Sequence, residues 1–208
     1  MFKESLKEAL WRNDKRAAFA LCETFLRERP THILTLYQDI FPTLLNSIHC
    51  ADGDMACVFQ EHQISAIVRA LVEGLFPWVY DAREVLENPP HVLLACVQDE
   101  THEIGALIGE QLFVYHGFKT TYLGANTPLE SLLNALTQLS DVTLVVLSAT
   151  NAYNLTRLKT TVQSLKTLHP TLKLYGAGRA VRKHASQLAL DGLIESSDDI
   201  KALLKERG

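Results

Sequence analysis

A histidine stands among carboxylates in Asp99-Glu100-Thr101-His102-Glu103-Ile104-Gly105, a stretch that can offer an imidazole to a metal or a bound ligand. Glu100, two residues earlier, is spaced to accept the second imidazole N–H, which would make the remaining nitrogen a stronger ligand. Gly105 removes a side chain one turn further on and leaves room for something bulky. The plainer alternative is a surface histidine beside a helix start, with Glu103 complementing the helix dipole. Ser148-Ala149-Thr150 places two hydroxyls around an alanine, suited to a polar ligand atom in a narrow slot. A strand-end serine capping the next helix would look the same. Gly176-Ala177-Gly178-Arg179 gathers small residues past which a planar or extended ligand can run close to the backbone, although a tight strand-to-helix turn uses them too. Glu61-His62 is a further acid–imidazole pair. A zinc set built from Cys50, Cys57 and His62 lacks a known ligand spacing and a fourth ligand.

The elements that must position these residues change character along the chain. Up to about Tyr80 the pattern is helical: Phe2, Leu6, Ala9 and Leu10 line one face of a first helix. Asp14 is placed to cap a second helix ending near Glu28, and a third carries Leu34, Leu36, Tyr37, Ile40, Phe41 and Leu44 despite Pro42. After the break Ala51-Asp52-Gly53-Asp54, a fourth helix runs to Gly74 with Ile64, Ile67, Val68 and Leu71 inward. Short connections predict an antiparallel four-helix bundle over residues 1–80. Residues 81–90, acidic and ending in Pro89-Pro90, read as a linker. Beyond it, short apolar runs at 91–97, 119–123, 142–147, 172–175 and 192–194 alternate with helical stretches at 103–116, 128–138, 154–168 and 180–189. Ser196 or Ser197 would cap a terminal helix. That alternation predicts an α/β domain over 91–208, a flavodoxin-like, Rossmann-like five-stranded parallel sheet. Such folds bind ligands at the carboxyl ends of their strands, where the loops above fall.

Composition narrows the function. The 208 residues are 47% hydrophobic and 21% charged with a formal net charge of -4, which argues against direct nucleic-acid binding. The lysines at 159 and 166 read as the wet face of a helix. No apolar run approaches the roughly 20 residues of a membrane helix, and residues 1–12 do not form a signal peptide. Cys22, Cys50, Cys57 and Cys96 show no framework spacing, so free thiols and a cytoplasmic protein are expected. The dinucleotide fingerprint is absent after the first strand, and serine at 148 replaces the aspartate that a phosphorelay receiver would carry there. No Ser/His/Asp set, phosphate-binding loop or second acid pair is evident, so a self-contained enzyme is not expected.

Taken in order, Glu100-x-His102-x-x-Gly105, Ser148-x-Thr150 and Ala177-Gly178 resemble the signature of the cobalamin (vitamin B12)-binding domain family. The stretch Tyr122-Leu123-Gly124-Ala125-Asn126-Thr127-Pro128 resembles its second-strand loop. Two departures stand out: glutamate replaces the commoner aspartate, as in the family's cobalamin-sensing regulators, and Ala177 replaces the first glycine of the pair. The resemblance implies base-off, His-on binding. His102 would be the lower axial ligand of cobalt, tuned by Glu100, and the nucleotide tail would run past Gly105 and Gly178 with Ser148 near its base. It further implies cofactor contacts from Thr101, Glu103, Ile104, Leu123, Gly124, Ala149, Thr150, Gly176 and Ala177. Leu10 and Asp14, Tyr37 with Pro42, and Glu61-His62-x-x-Ser65 resemble the bundle that covers the upper corrin face in cobalamin-dependent photoreceptor repressors. That module's Trp-His pair is missing, with Ala51-Asp52 in its place and His49 nearby. His62 is then either an upper-face residue or a packed bundle histidine paired with Glu61.

Two functions follow from the resemblance. One is a sensor acting through another protein, since no helix-turn-helix precedes the bundle. The other is a corrinoid carrier serving a methyltransferase. The bound form could be adenosyl-, methyl- or hydroxocobalamin.

Overall fold

The computed structural model describes residues 1–205; Glu206, Arg207 and Gly208, which end the expected second domain, lie outside the described residues. The chain divides into two compact units, Met1–Ala82 and Arg83–Gly208.

In the first unit, α1 (Phe2–Trp11) buries Leu6, Ala9 and Leu10, and α2 (Lys15–Glu28) buries Ala18, Cys22 and Leu26. Asp14 caps α2, its carboxylate accepting from the Ala17 N–H at 2.9 Å. The expected third helix is continuous only by widening: α3 (His32–Thr35) passes through a π-helical turn, Leu36–Ile40, into α4 (Phe41–Leu45). Pro42 has no N–H to donate and its ring would crowd the carbonyl one turn back, a conflict that the extra residue in the turn relieves. Asp54 caps α5 (Met55–Gly74) through the Cys57 N–H at 3.0 Å, and Ile64, Ile67, Val68, Leu71 and Val72 face the core. Helices α1, α2 and α4 all pack on α5. A further short helix, α6 (Phe76–Asp81), has a proline in its first turn, where the missing N–H costs nothing.

One expectation is corrected here. Cys50 and Cys57 are joined in a disulfide, with their Cα atoms 5.4 Å apart. The break at 51–54 folds back through the Asp54 cap and sets Cys50 beside the first turn of α5. The pairing removes the zinc alternative, and no group of three or more His, Cys, Asp or Glu suited to a metal ion occurs among the described residues. It also withdraws the support that free thiols lent to a reducing compartment. Cys22 and Cys96 are free and buried; burial pushes the Cys22 thiol up to about 12 and the Cys96 thiol up to about 11. No described helix is long and apolar enough to cross a membrane.

In the second unit, β1 (His91–Cys96), β2 (Lys119–Tyr122), β3 (Val142–Ser148), β4 (Lys173–Ala177) and β5 (Gly192–Leu193) form a parallel sheet in the order β2-β1-β3-β4-β5. Between them run α7 (Ile104–Tyr115), α8 (Leu129–Gln138), α9 (Leu155–Leu168) and α10 (Arg179–His184), and α11 (Ser197–Lys205) follows β5. Every residue of β1 is buried, as a central strand covered on both faces requires. Leu93, Ala95, Val145, Leu147 and Leu174 pack with Leu132, Leu158, Val162, Leu165 and Val181 in the main core. The chain leaves β1 for β2 on one side and later returns to β3 on the other. The carboxyl ends of β1 and β3 therefore form the switch point of the sheet.

The opposite edge corrects a second expectation, for two hydroxyl–imidazole–carboxylate chains are present. His91 places Nδ1 2.9 Å from Asp141 Oδ1 and Nε2 2.9 Å from Thr121 Oγ1. His116 contacts Glu84 Oε1 at 3.1 Å through Nδ1 and the Ser197 hydroxyl through Nε2. Both rings are sealed, with side chains 1% and 0% exposed, so neither can meet a substrate. Burial lowers the pKa of His116 and keeps the ring neutral despite Glu84. The first chain ties the start of β1 to β2 and to the residue before β3, and the second ties α11 to the end of α7 and to Glu84.

Candidate functional site

The site forms where the loops after β1, β2 and β3 meet. Asp99 takes a left-handed conformation, φ 70°, and its N–H donates to Asn126 Oδ1 at 2.8 Å. Asn126, also left-handed, donates its own N–H to the Glu100 carbonyl at 2.8 Å. The β1 and β2 loops are thereby locked together, and the turn drives the Glu100 side chain inward.

Glu100 is the hub, fully buried at 0% exposure. Its Oε1 accepts from the His102 N–H at 2.9 Å and lies 2.7 Å from His102 Nδ1. Its Oε2 accepts from the N–H groups of Thr150 at 2.7 Å and Asn151 at 2.9 Å, and from Asn154 Nδ2 at 3.0 Å. Burial alone would raise the carboxyl pKa. The Asn151 and His102 N–H groups, the Asn154 amide and the His102 ring outweigh it and hold the pKa down at about 2. The group facing His102 is a permanent carboxylate.

A carboxylate at Nδ1 makes that nitrogen the donor and leaves the lone pair on Nε2. The His102 side chain is 61% exposed, and Nε2 has no partner among the described residues. The arrangement is an oriented imidazole with one nitrogen ready to ligate. Beside it, Glu103 Oε2 accepts from the Tyr122 hydroxyl at 3.2 Å, while Thr101 is exposed and Ile104 partly exposed.

The sheet brings the three signature segments into register. Cys96 at the end of β1 pairs with Ser148 of β3, and Ser148 pairs with Ala177 of β4. Ser148 and Ala149 are buried and Thr150 is partly exposed. The Leu123 N–H donates to the Leu94 carbonyl, and the Gly124 carbonyl accepts from the Cys96 N–H. The small residues then separate by cause. A Cβ on Gly176 would stand 2.4 Å from Val181 Cγ1. One on Gly178, at φ 95°, would stand 2.5 Å from the Ala149 carbonyl oxygen, so the fold itself demands both glycines. A Cβ on exposed Gly105 would meet nothing within 4 Å among the described residues, and none of their atoms accounts for a glycine there. Gly105→Ala is therefore expected to raise stability by about 0.5 kcal/mol in the ligand-free protein, read as an upward shift in thermal unfolding.

A cleft of about 330 Å³ opens beside His102, lined by His102, Thr150, Asn151, Ala152, Arg179, Ala180, Lys183 and His184. Asn151, Asn154, Lys183 and His184 were not evident as site residues in the sequence. Paired asparagines after a strand end were the available signal for the first two, but they read as ordinary caps. In the other unit, His62 is 75% exposed on α5, with Nε2 3.9 Å from Glu61 Oε2. Glu61 Oε1 also accepts from the Ser65 hydroxyl at 2.7 Å.

Residues 90–200 match the family described as the B12 binding domain. Over 81 residues the chain is 36% identical to the HTH-type transcriptional repressor CarA of Myxococcus xanthus, a stretch covering 39% of this chain and only 27% of that protein. The monomethylamine corrinoid protein of Methanosarcina barkeri superposes with a TM-score of 0.77 at 16% identity, covering 98% of this chain and 96% of the other. A cobalamin-binding protein from Desulfitobacterium hafniense DCB-2 gives 0.51 at 19% identity, covering 99% and 98%. The methanol:cobalamin methyltransferase complex MtaBC of M. barkeri gives 0.52 at 16% identity, covering 99% and 79%. At these identities the structural likeness is one of fold.

Proposed function

The chain belongs to the B12-binding domain family, and from that premise we propose that it binds cobalamin base-off with His102 as the lower axial ligand of cobalt, and works as a sensor acting through a partner protein. The observation that carries the coordination is the Glu100–His102 pair, a buried carboxylate fixing one ring nitrogen and leaving the other unpartnered. Two more features fit the cofactor: the space in front of Gly105, which no described residue fills, and Ser148 in register with Ala177 at the sheet's carboxyl edge. In this reading 91–208 is the cofactor domain, 81–90 the linker and 1–80 the cap, with His62 its candidate ligand. Once bound, cobalamin would supply a cobalt centre whose ligand can be exchanged or transferred. The protein's own part is to orient His102, hold its Nδ1 proton at Glu100 and make room for the tail.

Similarity to a repressor favours the sensor. The carrier reading has its own support, a TM-score of 0.77 to a corrinoid protein over nearly the whole of both chains. The test is the absorption spectrum of the protein mixed with hydroxo-, methyl- and adenosylcobalamin, against His102→Ala. Co-elution with a spectral change in the wild type, and affinity lowered at least about tenfold in the variant, is the expected result. Gly105→Ala should weaken binding while leaving the apo fold intact. Absence of co-elution with every form would refute the cofactor reading. A change in partner binding that follows the upper ligand marks a sensor, whereas methyl exchange with a methyltransferase marks a carrier.

A further inference from the structure

The disulfide between Cys50 and Cys57 lies in a stretch of the first unit that the core does not reach. Every residue from Leu45 to Gln63 is exposed or half-buried, and burial resumes only at Ile64, well inside α5. Met55 and Phe59, the large apolar side chains at the start of that helix, are 70% and 64% exposed. The backbone hydrogen bonds at the break are local, from the Asp54 N–H to the Ala51 carbonyl at 3.0 Å and from the Met55 N–H to the Gly53 carbonyl at 2.9 Å. The covalent bond therefore anchors a helix end that side-chain packing leaves loose. Glu61 and His62 lie on that end.

The bond is also open to attack. Cys50 and Cys57 are half-buried, and all six residues between them are exposed. Cys57 sits in the first turn of α5, where the helix dipole favours a departing thiolate, partly offset by the charge of the capping Asp54. Cys22 and Cys96 are buried, with thiols pushed up to about 12 and about 11, so neither competes in exchange. We propose that Cys50–Cys57 is a redox-active disulfide, opened by exchange with an external dithiol, and that its state sets the order of α5 from Met55 to His62. A thiolate of the dithiol attacks Cys50 Sγ, the S–S bond breaks, and Cys57 leaves as a thiolate that takes up a proton. The second thiol of the reagent then displaces Cys50 from the mixed disulfide. The protein gains two electrons and two protons, and the dithiol becomes a disulfide. Opening frees the loop, and a helix end without buried side chains frays. The proposal needs no cofactor; only its bearing on His62 as a cap residue rests on the cobalamin reading.

The experiment takes the full chain without cobalamin in reduced or oxidised dithiothreitol. It follows amide hydrogen exchange by mass spectrometry, and alkylation of the folded protein by iodoacetamide. In the oxidised reagent neither Cys50 nor Cys57 should alkylate. In the reduced reagent both should, with Cys22 and Cys96 unmodified. Exchange across residues 55–62 should then rise at least about tenfold, with 64–72 unchanged, and re-oxidation should restore protection. The double variant Cys50→Ser with Cys57→Ser should show the faster exchange in either reagent. A disulfide that opens only in urea overturns the proposal. So does exchange across 55–62 that stays within about twofold after full reduction, or that rises equally across 64–72. Failure to bind any corrinoid refutes the cofactor reading alone, and the exchange measurement still decides this one.

Discussion

Glu100→Gln is expected to cost about 3 kcal/mol of stability, measured by urea unfolding at neutral pH. The carboxylate faces donors on both oxygens, from His102 on one and from Thr150, Asn151 and Asn154 on the other. Glutamine has one oxygen, so its NH2 must be turned on N–H groups that cannot accept. The pH dependence has a definite sign. The folded pKa, about 2, lies below the ordinary 4.5, so the stabilisation is complete above pH 4.5 and fades as pH falls towards 2. That gap corresponds to about 3 kcal/mol for a group with no exposed surface. The wild type should lose this increment across the window, and the variant, with nothing to titrate there, should not. Parallel pH profiles for the two proteins would show that Glu100 is not the hub.

Gly178→Ala is expected to be harsher, at about 4 kcal/mol, because strain and overlap add. Its φ of 95° is unfavourable for any L side chain, and the new methyl would lie 2.5 Å from the Ala149 carbonyl oxygen, a backbone atom that cannot swing aside. That carbonyl also accepts the Val181 N–H, so moving it disturbs the entry to α10. Thermal unfolding should show a large drop for Gly178→Ala beside the small rise for Gly105→Ala. A loss below about 1 kcal/mol would mean that the turn relaxes freely, and that Gly178 answers to the ligand and not to the fold.

The contrast between these glycines shows what the amino-acid sequence could and could not convey. Both stood in the signature, and both looked like space left for a ligand. Only the folded chain showed that Gly178 is held by a carbonyl from another strand's loop, whereas Gly105 faces open space. In the same way the spacing of Glu100 and His102 announced their hydrogen bond, since residues two apart in a turn can meet without help from the rest of the chain. The donors that saturate the other carboxylate oxygen come from about fifty residues further on.

What the sequence determined by itself was local. It set the helical periodicity of the first unit, the cap at Asp14, the alternation of apolar strands with amphipathic helices, and the carboxylate–imidazole pair. Each depends on contacts within a turn or two, where residue type and spacing are sufficient. What the tertiary structure decided was convergence. It joined Cys50 to Cys57, assembled the His91 and His116 chains from residues far apart, widened the helix at Pro42, and brought Arg179 and Lys183 to the same cleft as Thr150 and Asn151. Buried parallel strands are apolar on both faces, so their pattern carries no record of which neighbour each will take. The order β2-β1-β3-β4-β5 settles that, and with it which loops share an edge.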